Sequence, residues 1–136
     1  MSMNIKEKRQ LLYNFPDIEL SYEKRLHNKV QNIDCYITIP YGLKYFAWFC
    51  NFKNKNMLII LKIDRKNSKI SSIERKLCCF DPNLSVGVGT IFYGTIFKYN
   101  DFNFFNIEDI HYYKNKCLKN LCNLEKFNLE YKILKK

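Results

Sequence analysis

Asp109 and His111 stand two residues apart in a run of β-forming residues, Ile107-Glu108-Asp109-Ile110-His111-Tyr112. An extended strand would set the carboxylate and the imidazole on one face, the raw material of a general base. Acyl or phosphoryl transfer would also need a nucleophile and an oxyanion-stabilising element, and the sequence offers no such element. His27, beside Arg25 and Lys29, reads as a surface residue. Gly87-x-Gly89 could open a phosphate loop, but the G-x-x-x-x-G-K-[ST] spacing is missing. The residues that follow are strand-forming, so no helix N-terminus would face a phosphate. A turn is the better reading. Lys44 is an isolated amine, two residues after Gly42 and directly before the aromatic stretch Tyr45, Phe46, Trp48 and Phe49.

The six cysteines, Cys35, Cys50, Cys78, Cys79, Cys117 and Cys122, contain no Cys-x-x-Cys pair, and neither histidine is spaced with them as a zinc ligand. Cys50, Cys78 and Cys79 sit in apolar runs, where a free thiol behaves as a small hydrophobe. Reduced, structural cysteines in a reducing compartment are expected, with no metal and no cofactor.

These side chains must be positioned by a chain of 136 residues, enough for one domain and too short for two ordinary ones. With 47% hydrophobic residues, including 11 Phe and 10 Tyr, a sizeable core is available. No apolar run reaches the roughly 20 residues of a membrane span. The N-terminal MSMNIKEKRQ has no apolar stretch of signal-peptide type. A soluble domain without membrane insertion is expected.

Residues 1–34 form a polar, helical N-terminal segment. Within it Ile18, Tyr22, Leu26, Val30 and Ile33 recur at helical steps, with Asp17, Glu19 and Glu23 early and Lys24, Arg25 and Lys29 late, as the helix dipole favours. An extended start through Ile18, Leu20 and Tyr22 is the alternative. Residues 35–113 read as a β-rich core with strands over 36–39, 43–52, 57–64, 69–74, 76–80, 89–99 and 102–111. Turns fall at 53–56, 65–68, 81–83 and 100–101. The final segment, 114–136, repeats Leu118, Leu121, Cys122, Leu124, Phe127 and Leu129 as an amphipathic helix that packs on the sheet. The expected fold is therefore α+β. An antiparallel sheet of about 6–8 short strands is flanked by an N-terminal and a C-terminal helix.

Four stretches together resemble the core of the covalent nucleotidyltransferases, the mRNA capping enzymes and the DNA and RNA ligases. They are Ile39-Pro40-Tyr41-Gly42-Leu43-Lys44 with the aromatic strand after it, residues 61–67, residues 89–96, and residues 105–113. Gly42, Lys44, Gly94 and Asp109 match glycine or polar positions of that pattern. The resemblance implies a nucleotide-binding sheet but no intact chemistry. Ile39 and Tyr41 occupy the positions of the family's nucleophilic Lys and its Asp, and Lys44 lies on the wrong side of the glycine. Tyr93 and Thr95 flank Gly94 where the family carries Asp-Gly-Glu. An amine is indispensable to attack an α-phosphate, so the resemblance implies a pseudoenzyme with no catalytic residue. The family's later motifs and its oligonucleotide-binding domain have no counterpart.

The formal charge of +10 favours polyanions. Abundant Lys, Asn and Ile also mark an AT-rich coding genome, which raises pI without any selection for binding. Lys44, Tyr45, Trp48, Lys53, Lys55, Arg65 and Lys66 are the candidate contacts to nucleic acid or to a protein partner. Alternation sets Tyr45, Ala47 and Phe49 on one face of their strand and Lys44, Phe46, Trp48 and Cys50 on the other, so both faces are apolar. Core packing, a protein interface and base stacking remain open readings of that set. A degenerate catalytic core in this composition resembles proteins of large nucleocytoplasmic DNA viruses. The resemblance implies a non-enzymatic structural or interaction protein, such as a small virion or minor capsid (cementing) component. The location would be the virion or host cytoplasm, and the partners other proteins of a larger assembly. The alternative is a basic RNA- or DNA-binding accessory subunit of a viral capping or transcription complex.

Overall fold

The structure, a computed structural model, describes residues 3–18, 40–64, 69–119, 121 and 123–135. Six strands form one antiparallel sheet in the order β3-β2-β1-β4-β5-β6, curved as a half-barrel with a helix at each end of the chain. The strands are β1 (Leu43–Phe52), β2 (Lys55–Asp64), β3 (Lys69–Lys76), β4 (Thr90–Tyr99), β5 (Phe102–Tyr113) and the two-residue β6 (Lys116–Cys117). Helix α1 spans Ile5–Asn14 and α2 spans Asn123–Lys135. The α+β expectation holds.

Two-residue turns set the registers. Lys53 and Asn54 join β1 to β2 and Asn100 and Asp101 join β4 to β5, all four with positive φ. That is the turn whose twist matches paired antiparallel strands, and Asn and Asp tolerate it well. β1, at the centre, pairs with β2 through Ala47–Ile60 and with β4 through Ala47–Phe92. Because β1 is covered on both faces, its sequence is apolar at every step from Tyr45 to Cys50 rather than alternating. One face buries Phe46, Trp48, Ile59, Leu61, Ile91 and Tyr93 beneath α1, which contributes Leu11. The other buries Ala47, Ile60, Phe92, Ile110 and Leu118, with Leu129 and Ile133 of α2 against them. The alternation read from the sequence is therefore the one observed.

Helix α1 lies in the polar start of the segment read as helical. Asn4 caps it by accepting a hydrogen bond from the Glu7 amide, with Glu7 itself in the first turn where acidic residues belong. The expected helical face from Tyr22 to Ile33, the strand at 36–39, and Arg65, Lys66 and the turn at 65–68 lie outside the described residues.

Two expectations are corrected. Residues 76–80 are not a strand: β3 ends at Lys76, opposite Leu58, and the chain leaves the sheet with Leu77, Cys78 and Cys79 exposed. β2 begins only three residues before Leu58, which leaves little backbone for Leu77 onward to pair with. Cys78 and Cys79 are accordingly not packed hydrophobes, whereas Cys50 is buried and its thiol is pushed up to about 12 by burial. The C-terminal segment is not helical from residue 115. Lys114 and Asn115 form a positive-φ turn, Lys116 and Cys117 pair with Tyr113 and Tyr112, and α2 starts only at Asn123.

Candidate functional site

Lys44, Gly94 and Asp109, with Gly42 just before β1, fall on three adjacent strands within a few residues of one another in register. Lys44 is opposite Thr95, Tyr45 opposite Gly94, and Tyr93 opposite Asp109. Gly94 permits this closeness. A side chain there would overlap the Asn106 carbonyl oxygen of β5, because a bulge between Tyr93 and Gly94 draws the two backbones together. Gly42, with φ +155°, leads into β1, and a Cβ there would come within 2.8 Å of the Ile96 carbonyl oxygen.

The amine here is not free. Lys44 is buried; its Nζ donates to Thr95 Oγ1 and, at 2.7 Å, to Glu108 Oε1, and Thr95 Oγ1 lies 3.1 Å from both Glu108 carboxylate oxygens. The side chains of Lys44 and Glu108 are 11% and 6% exposed, so the ion pair is sealed inside the fold. An ammonium so paired has no lone pair to offer an electrophile. Thr95, at the position where the resemblance implies a glutamate, serves as the pair's neutral hydrogen-bonding partner.

A second polar cluster joins β5 to α2. Asp109 Oδ1 accepts from Lys126 Nζ at 3.0 Å and from the Ile110 amide at 2.8 Å, while His111 Nε2 lies 3.8 Å from Asp109 Oδ2. The expected sharing of a face by Asp109 and His111 is met, although 3.8 Å is too long for a hydrogen bond. The imidazole packs edge-on against Phe46 and Tyr93, and burial lowers its pKa, with Lys126 lowering it further and Asp109 partly opposing. Glu130 of α2 is buried with its Oε1 lacking a hydrogen-bond partner. Burial first, and then Asp109, push its carboxyl up to about 7, with Lys126 opposing.

This cluster should make α2 docking sensitive to pH. A carboxyl whose pKa rises on folding takes up a proton as the chain folds, so its contribution is present at pH 4.5 and is lost as pH climbs to about 7. His111 works in the opposite sense, stabilising above its ordinary pKa of 6.5 and less as pH falls below it. Glu130→Gln should therefore raise stability at pH 8, by about 1 kcal/mol or more, and leave it unchanged at pH 4.5. Urea unfolding at the two pH values checks this, and equal effects at both would refute it.

The remaining candidate contacts divide sharply. Trp48 is buried and its Nε1 donates to the Val88 carbonyl at 2.7 Å; it belongs to the core, as does Lys44, and neither presents a surface to a base or a partner. Tyr45 is half-buried against the α2-side core. Lys53 and Lys55 are exposed at the β1–β2 turn, with Lys53 Nζ 5.4 Å from the centre of the Phe52 ring. Among the described residues, no group of three or more His, Cys, Asp or Glu side chains could hold a metal ion. Among them too, no helix is long and apolar enough to cross a membrane.

An exposed cluster of aromatic side chains lies outside the candidate contacts. β1 pairs with β4 no further than Ile96, and beyond it β4 and β5 continue as a two-stranded ribbon. Phe97 faces Phe104 and Tyr99 faces Phe102 across that ribbon, on the face that carries Thr95. Phe97 and Phe104 stack at 5.7 Å with 24° between their planes, and Tyr99 and Phe102 are 63% and 69% exposed. The two-residue turn at Asn100-Asp101 and strict alternation are the sequence signal that could have found this ladder.

No protein-family profile, curated protein or solved structure matches this chain.

Proposed function

We propose that the protein is a non-enzymatic structural or interaction component of a larger protein assembly, with the β4–β5 aromatic ladder as its principal contact. The observation that carries this reading is the exposure of Tyr99, Phe102 and Phe104 on a projecting ribbon, together with Phe97. Four such rings offer several hundred Å² of rigid apolar surface, the size and chemistry of a protein contact. Lys98 alternates to the opposite face of the ribbon, so phosphates would find no ribbon lysine beside these rings. The sealed Lys44–Glu108 pair supports the absence of nucleotidyl transfer. A virion or minor capsid protein built on a degenerate nucleotidyltransferase core is the form of this reading that the resemblance implies.

The second reading, a nucleic-acid-binding accessory subunit, is favoured by the net charge of +10 and by the exposed Lys53 and Lys55. One experiment separates them. The wild type and the Tyr99→Ser/Phe102→Ser variant are purified from the native source, and the partner bound by the wild type is reconstituted with each. The interaction reading expects wild-type binding that weakens at least about tenfold in the variant at unchanged Tm. Unchanged binding would refute the ladder. Tight RNA or DNA binding that falls steeply with salt would move the assignment to the second reading. A covalent adduct after incubation with labelled ATP or GTP would overturn both.

A further inference from the structure

On the sheet face opposite the ladder, a trough of about 760 Å³ opens between the strands, the segment after β3 and α2. Its floor lies at the centre of the sheet, where Ala47 is flanked in register by Ile60 and Phe92. The short alanine side chain between two large ones leaves the depression. Phe80 forms one wall, edge-on to Phe49 at 4.8 Å, and Leu129 and Ile133 of α2 form the other. The charged side chains of the lining are Lys132 on α2, Lys114 at the turn after β5 with its Nζ 5.1 Å from the Tyr113 ring centre, and Asp81; Tyr113 and the thiols of Cys78 and Cys79 are its other polar groups.

We infer that this trough is a binding site for a single-chain amphipathic anion, a long-chain fatty carboxylate, with its chain over Ala47 and its head group at Lys114 and Lys132. Three observations select that chemistry. Ala47, Ile60 and Phe92 at the centre of the lining carry no hydrogen-bonding side chain, so a sugar or a nucleobase buried against them would lose hydrogen bonds to water without replacement. The volume lies in the range of small-molecule sites, about 300–1,000 Å³. Two lysines against one aspartate leave the mouth positive, and the chain as a whole carries +10, so an anionic head group is attracted at both short and long range. The inference is independent of the aromatic ladder, which occupies the other face of the sheet.

Palmitate and the matching fatty alcohol, each below its aggregation concentration, are titrated against the full chain with a fluorescent fatty acid as the displaced probe. Saturable displacement by palmitate is expected, with the alcohol weaker. Ala47→Leu fills the floor and should lower palmitate affinity at least about tenfold. Lys114→Glu/Lys132→Glu should weaken palmitate and leave the alcohol unchanged. Because overpacking could disturb the core, Tm is measured for each variant, and the charge-reversal pair still tests the inference if Ala47→Leu unfolds. Absence of saturable displacement would overturn the inference, as would equal affinity for acid and alcohol. A dimer in sedimentation that dissociates in the charge-reversal variant would overturn it in favour of a second copy of the chain as occupant.

Discussion

Gly94→Ala should destabilise the protein by about 3 kcal/mol or more, lowering Tm by roughly 10 °C. At an ordinary strand position the same change would be favourable by about 0.5–1 kcal/mol, because alanine has less backbone entropy to lose. The sign therefore tests the geometry. Gly94 lies in β4 between Tyr45 of β1 and Ile107 of β5, at the bulge that brings β5 toward it. An added Cβ would overlap the Asn106 carbonyl oxygen and come within 2.9 Å of the carbonyl carbon and 3.1 Å of the Phe105 ring. The nearest obstacle is backbone, so no rotamer change relieves it. β4 and β5 would have to separate along the pairing that joins β5, β6 and α2 to the rest of the sheet. Urea and thermal unfolding of the variant give the measurement. A stability equal to or above that of the parent would mean that β5 does not approach β4 as described.

The same bulge marks where sequence reasoning reaches its limit. β1 is legible because apolar residues at every step from Tyr45 to Cys50 can mean only a strand covered on both faces, or a buried helix too short to be useful. The β4–β5 hairpin is legible because Asn100-Asp101 is turn chemistry flanked by two aromatic runs. Gly42, Lys44, Gly94 and Asp109 can be placed on neighbouring strands by the same logic. What faces what cannot. Register shifts between Ile91 and Phe92 and between Tyr93 and Gly94 change which β5 side chains oppose β4, and counting from the turn does not locate them. Glu108 thus meets Lys44 without any spacing in the sequence to announce it. Residues 77–80 mislead for a different reason: apolar residues satisfy strand propensity, but a strand also needs a partner, and beyond Lys76 only the three β2 residues Lys55, Asn56 and Met57 remain to pair with. Lys116 and Cys117 disappear into a helical pattern because two residues carry no periodicity. The Asn4-x-x-Glu7 cap is readable locally.

Glu108→Gln should cost about 3–5 kcal/mol, because it leaves the Lys44 ammonium in the interior opposite a neutral amide. Lys44→Met removes a cation instead and leaves Glu108 with Thr95 as its hydrogen-bonding partner; a similar loss is expected. The double variant Lys44→Met/Glu108→Leu should recover most of what either single change loses. Two buried charges contribute little net stability over well-packed apolar groups of the same volume, while one alone is strongly unfavourable. Urea unfolding of the four proteins closes the cycle, and the coupling should be several kcal/mol. Purely additive losses would show that Lys44 and Glu108 do not meet. The stability of the double variant then bears on why the pair exists. A pair that can be replaced by Met and Leu at no loss is not kept for stability, and the cost of desolvating it must be offset by what it specifies. The geometry indicates what that is. The pair ties β1 to β5 across Thr95 of β4, directly before the two-stranded ribbon begins, and so fixes the register from which Phe97, Tyr99, Phe102 and Phe104 project. The double variant should therefore be stable and yet bind less tightly the partner proposed for the ladder. Equal binding by the double variant and the wild type would leave the pair with no role beyond the sheet itself.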